Sequence, residues 1–166
     1  MSLTQFGTVE CDVLHVKGKA DALSFTGRSD AFSYGLSLPR GQLAYAQITT
    51  SQTSIASGSQ VALTGLSVTV NVPANRILKV TGFALLEEGT SASQGFLYIH
   101  EDGNTVQYAG ATVLNETLTP IANRTPAAGT HTYALFVAFT ANTNNTVQGQ
   151  NNQPAFILVE DIGGTG

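Results

Sequence analysis

Apolar and polar residues alternate one by one through Leu66-Ser67-Val68-Thr69-Val70-Asn71-Val72, the period-two pattern of a strand with one face in a core and the other in solvent. Pro73-Ala74-Asn75 stops it. Arg76–Leu86 then predicts a longer strand, in which Gly82 marks a bulge or bend. Gly95–His100 and Thr105–Val113 flank Glu101-Asp102-Gly103-Asn104, and the Asp-Gly pair supplies the positive φ that a tight hairpin turn needs. Pro126-Ala127-Ala128-Gly129 is a further turn. After it, Tyr133, Leu135, Val137 and Phe139 alternate with Thr132, Ala134 and Ala138, while Phe136 makes the second face partly apolar. Such a two-faced strand suits a subunit interface, and suits equally a strand wholly internal to its domain. Ala155–Asp161 is the last strand. No segment sustains apolar residues at helical spacing. Short strands punctuated by turns at roughly 8–12-residue intervals predict an all-β, antiparallel β-sandwich of jelly-roll-like type.

The first quarter reads differently. Thr8–Val16 and Ala22–Thr26 are short β-like pieces separated by Lys17-Gly18-Lys19 and Gly27-Arg28-Ser29-Asp30, and Leu38-Pro39-Arg40-Gly41 interrupts any regular element. So short a stretch cannot build its own core. Residues 1–40 are therefore expected to form an extended N-terminal arm, and 41–166 the sandwich domain. Four of the seven Lys and Arg residues lie in the arm. Lys17, Lys19, Arg28 and Arg40, with Phe25, Phe32 and Tyr34, are its candidate contacts with a larger surface; the alternative for the aromatics is packing beneath the sandwich. Ala141–Gln153 is rich in amides and has Val147 as its one larger apolar residue. It is expected to be a long loop or exposed hairpin. Asn142, Asn144, Asn145, Gln148 and Asn151 are its candidate contact residues, and a solvated surface loop is the plainer reading.

Composition sharpens the picture. Only 11% of residues are charged while 42% are hydrophobic, against about 25% charged in ordinary soluble domains. Low charge with normal hydrophobicity points to surface covered by neighbours; the alternative is a monomer kept soluble by neutral Thr, Asn, Gln and Ser. The expected interface residues are Tyr133, Leu135, Phe136, Val137, Phe139, Phe156 and Leu158. Net charge is −4 and the basic residues form no stripe, which argues against nucleic acid as a partner. The amino terminus shows no basic segment followed by an apolar core, and no apolar run approaches the ~20 residues that span a bilayer. Synthesis in a cytoplasm, without membrane association, is the expectation.

Candidate chemistry is thin. Cys11 is the single cysteine, with His15 nearby but no pocket to activate the pair. His15, His100 and His131 have no second ligand at metal spacing. His100 beside Glu101 and Asp102 suits a carboxylate–imidazole pair, a divalent-cation site or, most simply, a solvated loop tip. The pairs Glu87-Glu88, Glu101-Asp102 and Glu160-Asp161 place adjacent side chains on opposite strand faces, so no pair alone meets the geometry of glycoside hydrolysis. Ser67 lacks a nucleophile-elbow context. The expectation is a protein that is not an enzyme, with no cofactor and no metal.

Two stretches carry a resemblance. Leu38-Pro39-Arg40-Gly41-Gln42-Leu43-Ala44-Tyr45-Ala46-Gln47 leads to Leu63-Thr64-Gly65-Leu66-Ser67-Val68-Thr69-Val70 and Ala74-Asn75-Arg76; Pro154-Ala155-Phe156-Ile157-Leu158-Val159-Glu160-Asp161-Ile162-Gly163 closes the chain. Together, over roughly residues 38–163, they resemble a domain of small minor capsid (decoration) and minor tail proteins of tailed actinobacterial bacteriophages. The strand order also looks like the jelly roll of C1q and tumour-necrosis-factor domains, an analogy of fold. The resemblance implies a virion structural protein on the outer surface of head or tail. Its implied partners are itself, as a homotrimer, and the major capsid protein or other virion proteins; the alternative role is a tail protein that recognises the host surface. It implies no catalytic residues.

Overall fold

The computed structural model describes residues 40–87, 94–112, 115–141 and 144–164. Those residues form strands β1 (Gly41–Ile48), β2 (Gln52–Ile55), β3 (Val61–Val72), β4 (Arg76–Glu87), β5 (Gly95–Glu101), β6 (Asn104–Ala111), β7 (Glu116–Leu118), β8 (Ile121–Arg124), β9 (Gly129–Phe139), β10 (Asn145–Gln148) and β11 (Ala155–Gly164). They assemble into two antiparallel sheets. One has seven strands, in the order β1-β11-β4-β10-β2 with β7 and β8 also on β4; the other has four, in the order β3-β9-β5-β6. The chain is an all-β sandwich. Among the described residues no helix is long and apolar enough to cross a membrane.

β4 is the spine of the larger sheet because its alternation is unbroken. Arg76, Leu78, Val80, Gly82, Ala84 and Leu86 all point inward, and the residues between them are half-buried. One edge of β4 pairs first with β11 and then with β10, the other with β8 and then β7. β9 plays the same part in the smaller sheet, between β3 and β5. Tyr133, Leu135, Val137 and Phe139 face inward from β9 and meet Leu97 and Ile99 of β5, Leu66 and Val72 of β3, and the inward row of β4 in one continuous core.

Special backbone positions fall where the chain must turn or shift. Asp102 and Gly103 have φ of 50° and 83°, the paired left-handed geometry of a two-residue hairpin turn, and Glu101 pairs with Asn104 across it. Gly65 sits at φ 83°, where the β3–β9 register slips between Ala62 and Ser67. There Leu63 and Leu66, three apart rather than two, both reach the core. Gly82 was expected to bulge or bend β4. Instead β4 runs straight through it, paired with Ile157. The glycine is needed for closeness between sheets: a Cβ there stands 2.7 Å from Leu135 Cδ2 and 3.3 Å from Pro120 Cγ.

Arg76 is fully buried at the start of β4, and it meets Asp161 of β11, only 1% exposed. The guanidinium Nε and Nη2 donate to Asp161 Oδ2 and Oδ1 at 2.8 and 2.6 Å. Asp161 Oδ1 also accepts from the backbone N–H of Gly163 at 3.0 Å, across a β11 bulge at Ile162. Arg40 lies at the mouth of this pair, its Nε 3.9 Å from Asp161 Oδ2, and its backbone N–H donates to the Asp161 carbonyl at 3.2 Å.

Candidate functional site

The outer surfaces of the two sheets carry the aromatic residues that the core does not use. On the four-stranded sheet, outward positions of neighbouring strands fall side by side, so Tyr98 of β5 stands opposite Tyr108 of β6 and Phe136 of β9. Ring centroids link Phe96 to Tyr98 and to Tyr108 at 6.2 Å each, and Tyr98 to Tyr108 at 5.5 Å. His100 stacks on Phe136 at 3.9 Å. Gly110, opposite Phe96, lets that ring lie flat on the strand; a Cβ at 110 comes within 2.7 Å of it. Tyr108 is the most exposed large apolar residue of this face, at 58%.

The seven-stranded sheet has its own patch. Phe83 and Phe156 stack at 5.2 Å with planes 8° apart, and Tyr45 tilts onto Phe156 at 5.7 Å. Leu158 lies between Tyr45 and Thr81, and exposed Ile121 follows on β8. The Lys79–Glu160 pair, 3.4 Å apart, supplies charge beside it. Continuous outward aromatic surface of this kind is what contact faces bury.

The expected interface residues divide accordingly. Phe136, Phe156 and Leu158 are half-buried on outer faces. Tyr133, Leu135, Val137 and Phe139 are fully or almost fully buried in the chain's own core, so no neighbour can reach them; the two-sided apolar character of β9 arises from one inner and one outer face. Of the arm contacts, Lys17, Lys19, Phe25, Arg28, Phe32 and Tyr34 lie outside the described residues, while Arg40 is exposed beside Asp161. The amide-rich run is not one loop. Its middle is β10, clamped between β4 and β2. Asn145 is completely buried, donating through Nδ2 to the carbonyls of Ile55 and Ala141 at 3.0 and 3.1 Å, which corrects its assignment as an exposed contact. Gln148 is half-buried, accepting from Ser51 Oγ at 2.7 Å and donating to Glu87. Asn144 and Asn151 are exposed, and Asn142 lies outside the described residues.

A second constellation, unforeseen in the sequence, closes one end of the sandwich. Glu101 ends β5 facing inward, its Oε1 accepting from the buried Tyr133 hydroxyl and its Oε2 from Arg124 Nε, both at 2.8 Å. Burial first, and then the hydrogen bond to Glu101 and its charge, push the Tyr133 phenol far up, so it stays a donor. Asp102 Oδ1 accepts from the Thr132 backbone N–H at 2.8 Å, and Oδ2 lies 2.8 Å from His131 Nδ1. That N–H, and after it His131, hold the Asp102 carboxyl below its ordinary value. The imidazole–carboxylate pair weighed for His100 as an alternative to a solvated loop tip is made instead by His131. Burial instead lowers the His100 imidazole, whose Nε2 lies 2.7 Å from Gln60 Oε1 and 2.9 Å from Thr105 Oγ1. A cleft of about 340 Å³ runs past Asp102, Asn104, Arg124, Ala127 and His131. Among the described residues no group of three or more His, Cys, Asp or Glu side chains is placed to hold a metal.

Fold and surface together define a two-sheet β-sandwich protein whose main features are two aromatic faces. No family model matches the chain, and no curated protein matches its sequence. Among solved structures, dimeric latent PorU from Porphyromonas gingivalis is similar at 8% identity and a TM-score of 0.49, over 77% of this chain and 13% of that one. Eiger TNF from S. frugiperda is similar at 11% identity and 0.41, over 75% of this chain and 96% of that one. A chain of the T13 IBDV viral particle is similar at 12% identity and 0.44, over 76% and 36%. What those proteins bind or assemble into belongs to them.

Proposed function

We propose that this chain is a structural protein of a bacteriophage virion: a capsid decoration protein that forms a homotrimer and grips the outer shell through residues 1–40. The observation that carries the reading is the pair of aromatic faces on opposite sides of one sandwich. A two-fold pairing hides one face twice and leaves the other bare, whereas head-to-tail packing sets each copy's first face against the next copy's second, and gives a ring where the rotation between copies closes. Phe96, Tyr98, Tyr108 and Phe136 then meet Tyr45, Phe83, Phe156 and Leu158 of a neighbour. Interfaces of about 1,000 Å² or more suffice for specific association, and many copies on a symmetric lattice reinforce one another through avidity. The resemblance of residues 38–163 to phage decoration and minor tail proteins supports the same reading.

Deletion of residues 1–37 is expected to leave a folded oligomer that no longer co-sediments with capsid shells, while the full chain does. Continued co-sedimentation of the truncated protein refutes the grip by the arm. Full chain found with isolated tails and absent from shells refutes decoration and favours a minor tail role.

A further inference from the structure

His131 has an acceptor at each ring nitrogen. Nδ1 lies 2.8 Å from Asp102 Oδ2, and Nε2 lies 2.9 Å from the backbone carbonyl of Ala127. Neither acceptor has a proton to give, and a neutral imidazole carries only one N–H. Only the imidazolium satisfies both contacts. Asp102 belongs to the β5–β6 turn, and Ala127 to the connection between β8 and β9. The same ring therefore ties two separate loops at one end of the sandwich.

We infer that His131 is a proton-operated latch: protonated, it fastens the 125–128 connection to the β5–β6 turn, and on losing its proton it releases the Ala127 side. The direction follows from the charges around it. Asp102 holds the Nδ1 proton, so the neutral ring keeps N–H at Nδ1 and turns an Nε2 lone pair toward the Ala127 oxygen. That contact is repulsive, and the connection can relieve it by moving away from the ring, widening the adjoining cleft. The titratable and charged groups facing His131 are Asp102 on the turn, Glu101 of β5 with Oε1 3.8 Å from Nδ1, and Arg124 of β8 and Tyr133 of β9, both engaged with Glu101. Partial burial works against the charged ring. The Asp102 hydrogen bond, the Ala127 carbonyl and the charges of Asp102 and Glu101 outweigh it and raise the His131 value. A raised folded value means the latch contributes fully below the unfolded histidine value, near 6.5, and is lost as pH rises through the folded one.

The test is an NMR titration of the full chain from about pH 5.5 to about pH 9, following the His131 ring nitrogens together with hydrogen exchange at the amides of residues 127–130, corrected for intrinsic exchange. His131 is expected to titrate above an ordinary histidine, with both nitrogens protonated at the acid end, and protection at 127–130 is expected to fall severalfold through that same midpoint. Asp102→Asn should move the midpoint down, and His131→Gln should flatten the protection profile. A wild-type His131 that titrates at or below the ordinary value, or protection at 127–130 that stays level across its titration, overturns the latch. The wild-type measurement is decisive even where a variant fails to fold.

Discussion

Asp161→Ala is expected to cost the fold about 3–5 kcal/mol, the usual penalty for removing one partner of a buried ion pair. The Arg76 guanidinium, with no exposed surface, loses the carboxylate that accepts from its Nε and Nη2. The Gly163 N–H loses its acceptor in the same step. Arg40 offers no repair, because it carries the same charge. Urea unfolding read by linear extrapolation measures the difference. Arg76→Met combined with Asp161→Leu should recover much of the loss, since apolar side chains of similar volume commonly replace a buried pair without penalty. A single-variant loss below about 1 kcal/mol, the range of solvent-exposed pairs, would show that this pair does not secure the junction of β4 and β11.

Leu135→Ala is expected to cost about 2–5 kcal/mol, the transfer of a leucine side chain plus the cavity it leaves. Leu135 is fully buried at the middle of β9, and its Cδ2 stands only 2.7 Å from where a Cβ on Gly82 would fall. Gly82→Ala alone should therefore cost about 1–3 kcal/mol by overpacking. In the double variant the new methyl enters space that Leu135 has vacated, so its cost should fall short of the sum of the single costs by about 0.5–3 kcal/mol, the range seen between residues in contact. Additive losses would mean that the two sheets do not touch at this point.

Much of the fold was legible because its strands follow a strict two-residue period. Leu66–Val72 and the Asp102-Gly103 turn announced themselves through alternation and through a dipeptide that tolerates positive φ. β10 did not, because its two inward residues are Asn145 and Val147, and a buried asparagine leaves no hydrophobic trace. Its burial is offset in part by the carbonyls of Ile55 and Ala141, which accept from its Nδ2. β9 misled in the opposite sense: apolar residues on both faces record one packed face and one open face, and a single sequence does not mark which is which. The outer aromatic rows were read only in part, Phe136 and Phe156 being named and Tyr98 and Tyr108 not, for a related reason. Tyr98, Tyr108 and Phe136 lie far apart along the chain and become neighbours only through the register of three strands. The Glu101–Arg124–Tyr133 and Asp102–His131 contacts depend in the same way on a turn meeting the foot of a distant strand. Arg76 and Asp161 gave no distinct signal, because Lys79 and Glu87 share β4 and Glu160 stands beside Asp161 on β11, and pairing them requires knowing that β4 and β11 run antiparallel.

Sedimentation equilibrium of the full chain, beside a Tyr108→Lys variant, tests the proposed self-association most directly. The wild type should give the mass of three chains and the variant a markedly smaller mass at equal concentration, with unchanged strand content by circular dichroism, because a lysine there sets charge on a face that must become dry. A wild-type chain that remains a monomer at micromolar concentration, with both aromatic faces open to water, contradicts the proposal.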